Sequence, residues 1–310
     1  HQDFKSGRVW PLVFMDEIRF GEGDGSDVKV PWELSRFYHL IPLGLAYRET
    51  GDAKYFQEFK NEISDWIEKN PPYWGVNWVN TMEVAIRVCN WSFAFELFKL
   101  RITDEERAFW NVFLASLEEH GKFIYRNLEY GKVRSNHFLS DIVGLVYLGI
   151  LFPEFKESRK WLKRGVESLE SEIKRQVYDD GVDFEASISY HRLVTEFFGY
   201  AAWLCKLNNI ALSESFWQKL RKMFEFAYFY AKPNGLAPQI GDNDDGRLHL
   251  LLEDYYNWDK RDHRHLFWLY EQMYGSSTTL DGEAELPAGS SASKSFPDAG
   301  IYIMRSDQMY

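Results

Sequence analysis

The chain runs to 310 residues, which at roughly 150 residues per domain allows either two domains or one large helical domain with a remainder. With 45% hydrophobic and 27% charged residues it can bury a real core, which excludes a disordered, collagen-like or low-complexity chain. Lys and Arg number 36 against 47 Asp and Glu; the net charge of -11 excludes a broad basic face for nucleic acid or an acidic membrane, so an anionic ligand needs a local basic site.

From the N-terminus, an irregular opening rich in Gly and Asp (Gly21 to Asp27) gives way to apolar residues at helical spacing with turn signals between segments, which predicts a mostly α chain. Helices are expected over 33–50, 53–69, 79–99, 103–127, 137–151, 154–177, 187–207, 212–231 and 247–273. Their ends carry chemical marks: Thr50-Gly51-Asp52 closes one helix and caps the next, Thr103 to Glu106 reads as a helix start, and Pro153 and Pro233 stand where helices stop. The longest apolar run, Ile142 to Phe152, is closed by Asp141 and Pro153 and falls short of the roughly 20 residues that cross a bilayer. Cys89 and Cys205 sit in apolar helical patterns and read as buried free thiols; no disulfide framework, metal site or cofactor is expected. Because the first residue is His1 rather than Met, the natural N-terminus and any leader are expected upstream.

Short links make successive helices antiparallel hairpins. Units beginning near Trp32, Trp78, Asn136, Glu185 and Asp242 recur at intervals of 46, 58, 49 and 57 residues, a loose repeat without sequence self-similarity. Hairpins of this length bury their apolar faces by packing side by side, so the expected fold is all-α, an incomplete (α/α) toroid or solenoid over residues 1–274. From 275 to 295 the composition turns to Ser, Thr, Gly, Ala and Glu and reads as a linker. Gly300 to Arg305 reads as a strand. One strand does not fold alone, so it either adds to something earlier or, the preferred reading, opens a truncated β domain over 296–310.

Polar and aromatic clusters unlike core sequence recur at the expected start of every odd helix: Trp32 to Arg36; Asn77-Trp78 with Glu83 and Arg87; Arg134 to His137; Glu185 through Tyr190-His191-Arg192; and Gly241-Asp242-Asn243-Asp244-Asp245. In stacked hairpins these starts share one end, so the clusters are expected to meet on one rim. Helix starts there expose N–H groups and positive dipole ends to an anion, with Arg36, Arg87, Arg134 and Arg192 adding to the field. Any one cluster taken singly reads as ordinary capping. The aromatic share of 17% exceeds what a core needs and leaves rings to line a ligand cleft. Glu83 and Arg87, one helical turn apart, read as a surface ion pair or as a partly buried pair lining that cleft. Tyr190 is a candidate base, its phenol needing a positive His or Arg neighbour to lower a pKa of about 10.

At these residues the sequence resembles the heparinase II/III type of polysaccharide lyase, with similarity to the helical domain of alginate lyases. The stretches that carry the resemblance are Val30 to Arg36, Gly75 to Trp78, Met82 to Trp91, Ser135 to Leu139, Tyr190-His191 and Pro238 to Asp244, in an order that covers nearly the whole chain. Phe296 to Arg305 resembles the opening of the β-sandwich domain that follows the toroid in this family. The resemblance implies β-elimination on a uronic-acid polysaccharide. In it Asn136 and His137 match the groups that neutralise the sugar carboxylate, and Tyr190 matches the base, acid or both. Trp32, Arg36, Trp78, Glu83, Arg87, Arg134, Glu185, His191, Asp242 and Asn243 are carried as substrate contacts. A further histidine or tyrosine from the β-sandwich usually completes the family's site, so this chain alone is expected to be weakened or inactive.

The implied partner is an acidic polysaccharide (heparin, heparan sulfate, another glycosaminoglycan, alginate or a bacterial exopolysaccharide), met in the periplasm or outside the cell, with no nucleic acid and no membrane insertion. Two other readings stand beside it: a glycoside hydrolase on an α/α toroid using carboxylates such as Glu185 and Asp242, and a non-catalytic glycan-binding or capsule-assembly protein.

Overall fold

A computed structural model describes residues 1–21, 23–251, 257–275 and 293–305. In chain order the elements are α1 (Lys29–Leu34), α2 (Leu40–Thr50), α3 (Ala53–Lys69), α4 (Thr81–Phe98), α5 (Arg107–Arg126), α6 (Asn136–Leu151), α7 (Ser158–Gln176), α8 (Ile188–Leu207), α9 (Glu214–Tyr230), α10 (His265–Tyr274), β1 (Lys294–Phe296) and β2 (Ile301–Ile303). The described residues are mostly helical, as expected. They divide into two compact units, one of His1–Lys132, Ser140–Gly165 and Leu248–Glu253, the other of Val133–Leu139, Val166–Arg247 and Asp254–Tyr310.

Local chemistry sets the boundaries. Gly51, at φ 69°, ends α2 in the left-handed conformation, and the Asp52 carboxylate then accepts the Lys54 N–H at 3.0 Å to cap α3. Asn80, Ser187 and Ser213 cap α4, α8 and α9 in the same way, each accepting a backbone N–H of the first turn.

Two expected helices are corrected. The 33–50 segment is two helices, because Phe37 adopts φ 59°, outside the helical region, and turns the chain between α1 and α2. The strain is offset by burial: the Phe37 ring packs edge-on against Trp66 and Trp91. Of the expected 247–273 helix, the described residues form only the part from His265 onward; 247–251 and 257–264 are irregular, and 252–256 lie outside the described residues. There Arg247 points inward and its Nη2 donates to the carbonyls of Lys260 (3.2 Å) and Asp262 (3.4 Å), acceptors that a helix would have used internally.

In the first unit α2 packs on α3 and α4, and α4 on α5. The rings of Phe56, Phe59, Phe98, Phe109, Trp110 and Phe113 interlock there, with Phe59 and Phe98 stacked at 4.6 Å. Much of the aromatic excess is therefore core and not cleft lining. In the second unit α8, α9 and α10 pack on one another. Their interior holds a fully buried carboxylate, Glu196, which accepts from Arg247 (3.0 Å), His265 (2.7 Å) and Arg192 (3.2 Å). Burial opposes ionisation of Glu196, but Arg192, His265 and Arg247 hold its carboxyl well below the usual range. The strand read at the C-terminal end finds a partner within the chain: β2 pairs antiparallel with β1, Phe296 opposite Ile301. This hairpin is fastened to α9 by Phe296 against Phe226 and Phe229, and by Arg305 Nη2 donating to the carbonyls of Phe229 and Ala231 at 2.7 Å. Both cysteines are buried and free.

Candidate functional site

In the first unit the expected site residues are interior. The Arg36 guanidinium grips Glu83 with two parallel bonds, Nε to Oε2 at 2.7 Å and Nη2 to Oε1 at 2.6 Å. Glu83 is therefore held by Arg36 and not by Arg87, which corrects the one-turn pair. Arg87 turns inward, its Nε donating to His120 Nε2 at 3.0 Å and its Nη2 to the Asn77 carbonyl at 3.2 Å, with the guanidinium over the rings of Trp66 and Trp78. Burial lowers Arg87 to about 9, so it stays a cation at neutral pH. Trp78 is 1% exposed and donates to the Asn70 carbonyl, and Trp32 donates to the Val76 carbonyl at 2.7 Å. A ring so enclosed cannot stack on a sugar. These five residues, expected as substrate contacts, fasten the 70–78 turn and α1 to the core.

The second unit gathers the others around the start of α8. Helix α6 opens on Asn136, whose backbone N–H lacks a partner within its own helix. That N–H donates to Glu185 Oε1 at 3.0 Å, and the Asn136 side-chain Nδ2 lies 2.9 and 3.0 Å from the two carboxylate oxygens. Glu185 thus caps α6 from a distant stretch of chain, at the positive end of the helix dipole. Asn136 is 4% exposed, and its Oδ1 has no hydrogen-bond partner.

After Glu185 the chain reverses at Ala186, at φ 57°, and Ser187 then caps α8 by accepting the Tyr190 N–H at 3.2 Å. The same Ser187 hydroxyl donates to the Asp242 carbonyl at 2.6 Å, Ser189 donates to Asn243 Oδ1 at 2.9 Å, and Ile188 N–H to the Ile240 carbonyl at 3.0 Å. These bonds lay the 240–243 loop along the start of α8. Only glycine serves at 241: its φ is +74°, and a Cβ there would stand 2.8 Å from the Ala186 carbonyl oxygen. The segment 185–190 therefore joins Asn136, Tyr190, Asp242 and Asn243, with Tyr190 and His137 half-buried and Asp242 and Asn243 exposed. The 241–245 cluster lies in this loop and not at a helix start.

His191 faces inward. Its Nδ1 accepts the Asp183 N–H at 3.2 Å and its Nε2 donates to the Met223 carbonyl at 3.0 Å. Burial lowers its pKa to about 4, so it is uncharged at neutral pH and cannot be the positive neighbour of Tyr190 or a ligand contact. Arg192 is spent on Glu196 and on the Gly246 and Asp244 carbonyls. Arg134 pairs with Glu172 at 2.9 Å and is 15% exposed at its side chain, the most open of the four arginines expected to shape the field.

Sequence reasoning missed Asp183, which is buried, accepts the Glu185 N–H at 3.3 Å, and is pushed well above the usual carboxyl range by burial and by Glu185. An acidic pair two residues apart before a helix carried that signal. Among the described residues no group of three or more His, Cys, Asp or Glu could hold a metal ion, and no helix is long and apolar enough to cross a membrane.

Residues 3–262 match the sequence model of the family described as Heparinase II/III N-terminus, and the chain belongs to that family. Among curated relatives, it is 29% identical to the heparin-sulfate lyase of Bacteroides stercoris over 96% of this chain and 44% of that protein. It is 30% identical to the heparin-sulfate lyase of Pedobacter heparinus over 90% of this chain and 42% of that protein. Among solved structures, the heparan sulfate lyase HepC mutant from Pedobacter heparinus aligns with TM-score 0.65 and 28% identity over 93% of this chain and 44% of that one. The fold class is thus that of the heparinase helical domain, the α/α toroid expected from the sequence. The chain spans less than half the length of these relatives.

Proposed function

We propose that the protein containing this chain is a polysaccharide lyase that cleaves an acidic, uronate-bearing polysaccharide of the heparan sulfate kind by β-elimination. The carbon acid beside an ionised carboxylate is very weak, and the enzyme must stabilise the charge that grows as its proton leaves. Asn136 and His137 would donate to that carboxylate. Tyr190 would exchange protons with the sugar carbon and with the leaving oxygen. Its activation would come from a group other than the neutral His191, such as the β-sandwich histidine or tyrosine that the family resemblance implies. Because such polymers are met in the periplasm or outside the cell, the proposal extends to that location.

The observation that carries this reading is the Glu185 clamp, which fixes the Asn136 amide on the same short segment that starts the helix of Tyr190. It also counts against hydrolysis by Glu185 and Asp242, since the Glu185 carboxylate is taken up by Asn136. The test is incubation of the full-length protein with a panel of uronic-acid polysaccharides, following the ultraviolet absorbance of the new conjugated double bond. The lyase reading expects cleavage of heparan sulfate that Tyr190→Phe reduces by about 10²-fold or more. Cleavage lost with Asp242→Asn but kept with Tyr190→Phe would overturn it in favour of a hydrolase. Binding without an unsaturated product would leave a glycan-binding protein.

A further inference from the structure

The two oxygens of a carboxylate lie close together, whereas the two N–H bonds of an amide diverge widely. With Nδ2 at 2.9 and 3.0 Å from both Glu185 oxygens, a single N–H of Asn136 serves the carboxylate and the other is directed away from it. The same contact settles which end of the amide is which: nitrogen toward Glu185, Oδ1 toward the interior. Glu185 also holds the Asn136 backbone N–H, so the residue is fixed at main chain and side chain together.

Behind Glu185 stands a chain of bonds with no solvent-facing member: Glu185 N–H to Asp183 Oδ2, Asp183 N–H to His191 Nδ1, and His191 Nε2–H to the Met223 carbonyl. A carboxylate this firmly placed, half-buried and turned onto an amide, is poorly suited to hold a negatively charged sugar, the role first expected for Glu185. It is well suited to hold an amide still.

Resting on the lyase reading above, we propose that Glu185 is a positioning residue: it sets the rotamer and polarity of the Asn136 amide so that the free N–H meets the uronate carboxylate. Substrate then binds chiefly through other contacts, and Glu185 acts on the proton-abstraction step through Asn136.

The test is a double-mutant cycle in the full-length protein with heparan sulfate as substrate. Glu185→Ala should lower kcat by about 10²-fold, the scale of losing one oriented donor, with KM nearly unchanged. Glu185→Gln, whose amide oxygen still accepts both N–H groups, should restore most of the loss. Once Asn136→Ala is in place, adding Glu185→Ala should cost little more. Melting temperatures of all variants separate this from simple unfolding. Equal, additive losses in both backgrounds, or a KM rise with kcat intact, would overturn the proposal and make Glu185 a structural or substrate-binding residue. If the wild-type protein yields no unsaturated product from any uronate polymer, the lyase reading fails and this inference fails with it; if wild type cleaves and Glu185→Ala cleaves as fast, this inference alone fails.

Discussion

Removing Glu83 should cost far more stability than an ion pair normally contributes. Its carboxylate and the Arg36 fork share two short parallel bonds, and the side chains are only 5% and 7% exposed. Each bond to a charged partner is worth about 1.5–3 kcal/mol, and Glu83→Ala removes both while stranding a buried guanidinium. Losing one partner of a buried pair costs roughly 3–5 kcal/mol, a large part of the 5–15 kcal/mol that holds a typical domain together. The apolar double variant Arg36→Met, Glu83→Leu should recover most of that loss, because it strands no charge. Urea unfolding followed by tryptophan fluorescence measures all three proteins; the chain carries 12 Trp. A Glu83→Ala cost below about 1 kcal/mol, or a double variant no better than the single one, would refute the reasoning.

Three further outcomes are expected. His191, at about 4 in the folded chain, lies below the ordinary imidazole value; its contribution is complete above about pH 6.5 and is lost as pH falls toward 4, while raised Asp183 acts with the opposite sign. The stability gap between wild type and His191→Gln, which isolates the imidazole, should therefore shrink by roughly 3 kcal/mol across that window; a gap constant with pH would contradict it. Gly241→Ala should cost about 2–4 kcal/mol from the left-handed backbone and the contact with the Ala186 carbonyl, and should lower kcat by loosening the start of α8; a variant with wild-type melting and turnover would show that the loop adapts. Phe296→Ala should release the β1–β2 hairpin from α9, read as faster amide exchange at 294–303 with little change in α8; unchanged exchange there would show that the polar ties of Lys294 to Glu225, Ala299 to Asp180 and Arg305 to the end of α9 secure it without the ring.

Local signals carried well from sequence to structure. The starts of α3 and α8 follow from Asp52 and Ser187 with their side-chain bonds to the next turn, and Ile142 to Phe152 is buried as its composition demands, save for half-buried Ile150 and Leu151. What stayed illegible was pairing across distance. Arg36 finds Glu83 across 47 residues and Asn136 finds Glu185 across 49; no local rule gives Glu83 to Arg36 over the nearer Arg87, and none points Asn136 to Glu185. The reversal at Phe37 was hidden because phenylalanine gives no turn signal; it is bought by tertiary burial. The 247–273 stretch keeps an apolar rhythm in sequence, yet Arg247 takes the carbonyls of Lys260 and Asp262, which leaves the backbone of 257–264 irregular. Polar clusters marked the neighbourhood of the site but not the direction of each side chain, so buried Trp78, Arg87 and His191 resembled ligand contacts.

The most direct test of the central claim, that Asn136 and Tyr190 serve an elimination, is the mass of the oligosaccharides released from heparan sulfate by the full-length protein. Elimination releases fragments whose new non-reducing end lacks one water relative to a hydrolysis product, formed by wild type and nearly absent with Tyr190→Phe or Asn136→Ala. Fragments that carry the water, or unsaturated fragments formed at the wild-type rate by both variants, would contradict it.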